Sequence, residues 1–213
     1  MGEAPVLAEE QDRALDRLSR VPELQRYYLA GGTAVAWHLH HRRSRDLDLF
    51  SLEPDVDLER LRERLATTVA GIEVVAITDA SLRLRVEAAA VDIVRYPYRP
   101  LVPPAPGPRG FLVAAPRDLA AMKLATIASR GLRRDFWDLH AIVATLVPLP
   151  EAVGAYLQRF GLTQPDVYHL ARALVYFVDA ERDAVFPAGL SAEHWEEIKA
   201  WFRAQAPAIV LSP

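Results

Sequence analysis

Two aspartates one residue apart, in a short alternating run, are the first residues of this chain that could do chemistry. In Asp46-Leu47-Asp48-Leu49-Phe50 polar and apolar residues alternate with the period of a β-strand. Asp46 and Asp48 therefore project to one side, while Leu47 and Leu49 point into the core. Paired hard oxygen donors suit Mg²⁺, which takes oxygen ligands at about 2.1 Å. Two such ions about 3.5–4 Å apart clamp the attacking and leaving oxygens of a phosphoryl transfer. Val91-Asp92-Ile93-Val94 offers a third carboxylate, where one acid interrupts a run of β-branched residues. An unpaired buried carboxylate is costly. Asp92 therefore either shares cations with Asp46 and Asp48 from a neighbouring strand or lies at a strand end facing water.

A phosphate needs donors as well as metals. Gly31-Gly32-Thr33 allows a sharp turn that directs backbone N–H groups at a triphosphate, and a helix opening at Ala34 would add its positive end. Alone this tripeptide reads equally as a plain turn; the order strand, Gly-Gly, helix, Asp-x-Asp strand is the more specific signal. Further along, Lys123, Arg130, Arg134 and Asp138 are spaced to share one face of a helix predicted from Pro116 to Thr145. Lys123, in an apolar stretch, either reaches a nucleotide phosphate or snorkels to solvent. Arg134 and Asp138 also fit a surface ion pair, as does Asp135 beside Arg134. Arg130, Arg133 and Arg134 form a basic face suited to a polyphosphate or an RNA backbone.

Other chemistries find less support. His38, His40 and His41 cluster, but with no Cys in the chain, no His-Glu-x-x-His pattern and arginines alongside, a zinc site is disfavoured. Ser44 and Ser129 lack a Ser-His-Asp context. The absence of Cys also removes disulfides and a thiol nucleophile. A net charge of −3 confines any polyanion contact to a local patch. The acidic opening has no uninterrupted apolar segment, so neither a signal peptide nor a membrane span is expected, and the setting is read as cytoplasmic.

The positioning elements follow from periodicity. Leu7, Ala14, Leu15 and Leu18 predict an amphipathic helix ending near Val21-Pro22. Tyr27 to Ala30 reads as a strand, and Asp57 to Ala70 as a surface helix. Glu73–Thr78, Leu82–Ala88 and Ala90–Tyr96 read as three strands in a meander. Between Pro97 and Gly110, six prolines and two glycines mark a connector. The chain is accordingly divided into an α/β core with its N-terminal helix over residues 1–110 and a helical subdomain over 111–213. The latter holds helices at about 116–145, 151–160, 165–183 and 191–204. The four tryptophans, Trp37, Trp137, Trp195 and Trp201, are expected to pack the core. The fold class is α+β: a mixed sheet flanked by helices, followed by a mostly helical C-terminal part.

Three blocks resemble the AbiEii/AbiGii-type nucleotidyltransferases, a toxin branch of the polymerase-β-like nucleotidyltransferase superfamily. They are Leu29 to Phe50 with its Gly-Gly-Thr and Arg-Asp-Leu-Asp-Leu, Ala90 to Val94, and Asp118 to Leu139, covering about residues 27–143. The resemblance implies a nucleotidyltransferase-like sheet and transfer of NMP from an NTP to an acceptor hydroxyl with two Mg²⁺ ions. It assigns Gly31, Gly32 and Thr33 to the triphosphate, Asp46, Asp48 and Asp92 to the metals and Lys123 to the nucleotide. Asp135 and Asp138 would match the family's acidic helix motif. An RNA acceptor such as a tRNA end and a cognate antitoxin are further implications. A similar front end occurs in antibiotic nucleotidyltransferases, so a small hydroxylated acceptor such as an aminoglycoside or lincosamide is the alternative. A catalytically silent nucleotide- or partner-binding protein is another.

Overall fold

The alternating apolar residues read from the sequence assemble into a seven-stranded sheet of order β3 (Ile72–Ile77), β4 (Ser81–Val86), β5 (Ala89–Val94), β2 (Asp46–Ser51), β1 (Tyr27–Ala30), β7 (Leu112–Val113), β6 (Ala105–Pro106). The structure is a computed structural model that describes residues 6–182 and 186–211. The chain divides into two compact units, the second beginning at Pro116.

In the first unit, helix α1 (Glu9–Leu18) buries Ala14, Leu15 and Leu18. Strand β1 (Tyr27–Ala30) runs directly into helix α2 (Gly31–Leu39). The Gly-Gly pair thus forms the first turn of the helix, not a separate turn before it. β1 is buried along its whole length because β2 and β7 flank it; an uninterrupted apolar strand is what a central position demands. Strand β2 (Asp46–Ser51) returns antiparallel to β1. Helix α3 (Leu58–Thr68) is capped by Asp57, whose carboxylate accepts from the Arg60 N–H at 2.9 Å. The expected meander follows as β3 (Ile72–Ile77), β4 (Ser81–Val86) and β5 (Ala89–Val94), each antiparallel to the next. β5 then lies parallel to β2.

Register sorts the sheet into two faces. Leu47, Leu49, Leu82, Leu84, Val86, Val91 and Ile93 are all buried on one of them. Asp46, Asp48, Arg83 and Asp92 belong to the other, because residues two apart in a strand and residues paired across strands share a side.

The sheet does not stop at the proline-rich connector. Strand β6 (Ala105–Pro106) forms within it and β7 (Leu112–Val113) just beyond it, and β7 pairs parallel with β1, so the first unit extends beyond residue 110 to Ala115. Proline lacks an N–H but keeps its carbonyl, so a short edge strand is permitted there.

The second unit is helical. The predicted single helix over 116–145 is two, α4 (Pro116–Ser129) and α5 (Arg133–Thr145), because Gly131 turns the chain at φ 51°. Helices α6 (Leu149–Phe160), α7 (Gln164–Ala173), α8 (Val178–Arg182) and α9 (Ala192–Leu211) complete it. The stretch expected as one helix to Asp183 is broken into α7 and α8, and Asp183 itself lies outside the described residues. Phe136 is fully buried, with Phe177, Trp195 and Phe202 centred 5.0, 5.9 and 5.4 Å from its ring. Trp137 and Trp195 are buried, whereas Trp37 and Trp201 are only partly so. A buried ion pair of Asp118 with Arg159 ties α4 to α6. Among the described residues no single helix is long and apolar enough to cross a membrane.

Candidate active site

The carboxylates come together through strand register. Asp48 on β2 is paired with Asp92 on β5, and Asp46 precedes Asp48 by two positions. All three acids therefore stand on the same face of two adjacent strands. Each is partly exposed, in contrast to the buried leucines and isoleucine between them. The same register continues outward to β4, where Arg83 pairs with Asp92, and inward to β1, where Ala30 pairs with Asp48. Ala30 is the residue before the Gly-Gly turn, so the start of α2 lies beside the acid pair.

That start is built around the acids. Gly31 has φ 61°, a conformation that L side chains rarely adopt, and a Cβ placed there would overlap the carboxylate of Asp48. A Cβ on Gly32 would collide with the Arg42 guanidinium and crowd Ser44 Oγ at 3.2 Å. The first turn of α2 thus lies against a carboxylate, a guanidinium and a hydroxyl with no side chain intervening. Its N-cap, Ala30, supplies no side-chain hydrogen bond, so the first N–H groups of the helix present the donor-rich end that anions favour.

Thr33 behaves differently from its neighbours. Its expected part at the triphosphate is through the backbone N–H, while its side chain is buried and its hydroxyl donates to the backbone carbonyl of Asp46. It fastens the helix start to the first residue of β2 and so sets the distance between the glycine turn and the acids. Substituting Gly31 by Ala is predicted to cost about 1–2 kcal/mol of stability from the positive φ alone. By pushing the Asp48 carboxylate aside it should also lower transfer activity about a hundred-fold. Thermal melting and label transfer would check this, and a variant matching the parent in both would refute the packing argument.

The acids do not form a closed cage. Among the described residues no group of three His, Asp or Glu side chains is gathered tightly enough to hold a metal ion. Asp92 Oδ1 instead accepts a hydrogen bond from Arg83 Nε at 2.8 Å. The Arg83 guanidinium is held above its ordinary pKa, first by that hydrogen bond and then by the charge of Asp92, with Asp46 adding to the effect against the cost of desolvation. The donor set still suits a hard divalent ion. It consists of carboxylate oxygens on neighbouring strands, Asp46 directs no side-chain hydrogen bond within the described residues, and glycine clears the space around Asp48.

The charged helix residues belong to the second unit. Lys123, placed in the sequence reading at a nucleotide phosphate, lies in a buried cluster: its Nζ is 3.0 Å from Asp135 Oδ1 and 2.7 Å from Asp138 Oδ2. Burial pulls the Lys123 pKa down, but the charges of Asp138 and Asp135 outweigh it and hold the ammonium above its usual value. The one-face arrangement of Lys123, Arg130, Arg134 and Asp138 does not arise, because the break at Gly131 leaves Lys123 on α4, Arg130 just past its end, and Arg134 and Asp138 on α5. The corner still closes Lys123 onto Asp138. Arg130 lies 3.6 Å from Asp135 and is exposed, as is Arg134. Arg133 turns inward, its guanidinium 3.9 Å from the centre of the Phe186 ring, so the three arginines do not form a single basic face.

Sequence reasoning passed over Arg83. Its only signal was position two in the alternating run Leu82-Arg83-Leu84-Arg85-Val86, and nothing in that run announces which residue it will face. In the sequence Arg42 is one of the arginines beside the histidine cluster, and Ser44 a serine without a Ser-His-Asp context.

A mixed sheet with a Gly-Gly helix start beside an Asp-x-Asp strand, followed by a helical unit, is the architecture of a nucleotidyltransferase. A sequence model of the AbiEii nucleotidyl transferase toxins of type IV toxin–antitoxin systems matches residues 13–208, and the chain belongs to that family. It is 28% identical over 204 residues to the uncharacterized protein aq_aa25 of Aquifex aeolicus (strain VF5), covering 92% of this chain and 94% of that protein. The fold is similar to that of MenT4, a nucleotidyltransferase toxin from Mycobacterium tuberculosis H37Rv. The TM-score is 0.62 at 21% identity, over 92% of this chain and 81% of that one. The antibiotic-resistance factor ANT(2'')-Ia aligns over 93% of this chain and 94% of that one with a TM-score of 0.39 and 13% identity. That value is too low to bear on the acceptor.

Proposed function

We propose that the protein transfers NMP from an NTP to a hydroxyl of an RNA, such as a tRNA end, in a reaction that depends on Mg²⁺. The observation that carries this reading is the in-register pairing of Asp48 with Asp92, with Asp46 on the same face and the glycine first turn of α2 alongside. Asp46, Asp48 and Asp92 would hold the metal ions. When bound, the ions would neutralise charge that develops on the phosphate oxygens. Gly31 and Gly32 receive the triphosphate through backbone N–H groups, and Arg42 lies beside them as a fixed positive charge. Thr33 contributes by position, holding the turn to β2.

In the reaction the acceptor oxygen bonds to the α-phosphorus, the bond from that phosphorus to the bridging oxygen breaks, and pyrophosphate leaves. The hydroxyl proton passes to the Asp92 carboxylate. Such a displacement asks the protein mainly for positioning and charge stabilisation. Lys123, with Asp135 and Asp138, enters as a positioning group in the helical unit. It sets the corner from which the exposed Arg130 and Arg134 offer charge to a polyphosphate or an RNA backbone. Membership of a type IV toxin–antitoxin family favours a cognate antitoxin, and the likeness to MenT4 favours a toxin role.

The test is to incubate the protein with each α-labelled NTP, Mg²⁺ and total cellular RNA, and then with aminoglycosides and lincosamides in place of RNA. Label is expected on RNA with one preferred NTP, and EDTA should abolish it. Label on a drug alone would move the acceptor to a small molecule. Tight NTP binding with no transfer to any acceptor would leave a binding protein and end the proposal.

A further inference from the structure

The site contains a cation of its own. Arg83, Asp92 and Asp48 form one row across β4, β5 and β2. Arg83 spans the gap to Asp92 with Nε alone, at 2.8 Å. Its side chain is 60% exposed against 30% for Asp92, so the guanidinium lies on the open side of the carboxylate. No other hydrogen bond engages its two amino groups within the described residues. An arginine on an exposed strand position has many places to go, and this one is directed at the acid next to it in the row, Asp92.

We propose that Arg83 is a positioning residue that occupies Asp92 as counter-ion until a divalent cation takes that carboxylate, and then turns its guanidinium to a phosphate oxyanion of the substrate. The proposal rests on the three-carboxylate reading given above. Its physical basis is the incompatibility of the two partners. A doubly charged ion held by Asp92 would repel a guanidinium hydrogen-bonded to the same carboxylate. The displaced side chain is long, always charged and planar, and its paired amino groups match phosphate geometry. Released beside the acids, it can meet a phosphate either on the nucleoside triphosphate or on the acceptor strand. The exchange keeps the Asp92 carboxylate oriented in the resting enzyme, and it supplies a phosphate ligand only when metal is present.

The proposal is tested on the full chain with Mn²⁺ alone, read from the free-ion signal in electron paramagnetic resonance. Arg83→Gln is expected to bind Mn²⁺ about three-fold more tightly, the size of effect an exposed ion pair can exert. With Mn²⁺ saturating, the same variant should lose about ten-fold in affinity for one phosphate ligand, with partial recovery in Arg83→Lys. Weaker binding of α,β-methylene NTP analogues would assign the guanidinium to the nucleotide. Weaker binding of total tRNA with unchanged analogue affinity would assign it to the acceptor. Unchanged or weakened Mn²⁺ binding in an Arg83→Gln variant that melts at the parent temperature would overturn the proposal, as would unchanged affinity for both phosphate ligands. Asp92→Asn separates this from the parent reading. If it leaves Mn²⁺ affinity intact, the metal role of Asp92 fails; if it weakens Mn²⁺ binding while Arg83→Gln does nothing, only the Arg83 exchange fails.

Discussion

Replacing Asp48 with asparagine is expected to lower kcat/KM for nucleotide transfer by about a thousand-fold, the upper range for deleting one preorganised electrostatic stabiliser. Asp48 is the central member of the row. It is paired with Asp92 on one side and with Ala30 on the other, and its carboxylate rests over Gly31. Asparagine keeps the shape and the strand alternation but removes the charge that would face a divalent ion and a triphosphate together. Folding should be unaffected, since the side chain is partly exposed and leaves no cavity. The check is steady-state transfer with labelled NTP beside thermal melting of the same preparation. Activity within ten-fold of the parent, at equal stability, would remove Asp48 from the metal site.

The second large effect concerns stability. Lys123→Met is expected to cost about 3–5 kcal/mol, because it removes the buried cation that Asp135 and Asp138 share and, among the described residues, leaves Asp135 facing only the exposed Arg130 at 3.6 Å. For a chain of this length that corresponds to a fall in Tm of roughly 10 °C. The sign of the pH dependence follows from the raised Lys123 pKa. A group whose folded pKa lies above its unfolded value stabilises fully below the unfolded value near 10.5. That contribution is lost as the pH climbs through the folded value, so the Tm gap between parent and variant should narrow only in strong alkali. Denaturant melts of Lys123→Met and of the triple change Lys123→Met, Asp135→Asn, Asp138→Asn distinguish the causes. The triple variant should recover much of the loss. No recovery would mean that lost packing, not stranded charge, dominates. An NTP KM raised ten-fold in folded Lys123→Arg would restore a direct nucleotide contact for this lysine.

The two halves of the candidate site differed in how legible they were. Alternation alone placed Asp46 and Asp48 on one side of β2, because a strand has a period of two whatever surrounds it. The interruption of Val91-Asp92-Ile93-Val94 marked Asp92 as unusual but did not pair it with anything. Between Phe50 and Ala90 the chain runs through α3 and two strands before β5 arrives beside β2. Local preference says nothing about which strand will be the neighbour. Gly131 shows the limit of periodicity for helices. The apolar rhythm of 116–145 continues across it, yet one residue in the left-handed region ends α4 and reverses the expected facing of Lys123. The prolines of Pro97 to Gly110 mark a connector ending the core, and the two-residue strands within and just beyond it are invisible in the sequence because so short a strand has no period to detect.

What the amino-acid order determined by itself was therefore local: which residues alternate, where helices open and stop, and that acids, glycines and a lone lysine stand where ordinary packing would not put them. Those properties depend on backbone geometry within a few residues, which short-range sequence encodes. Tertiary structure alone decided the partners. It set Arg83 against Asp92, laid the carboxylate of Asp48 over Gly31, turned the Thr33 hydroxyl inward, and closed Lys123 onto two aspartates. Each of these depends on register between strands or on the angle at a helix corner, and both are chosen by how the whole apolar surface is buried, a sum that no single segment contains.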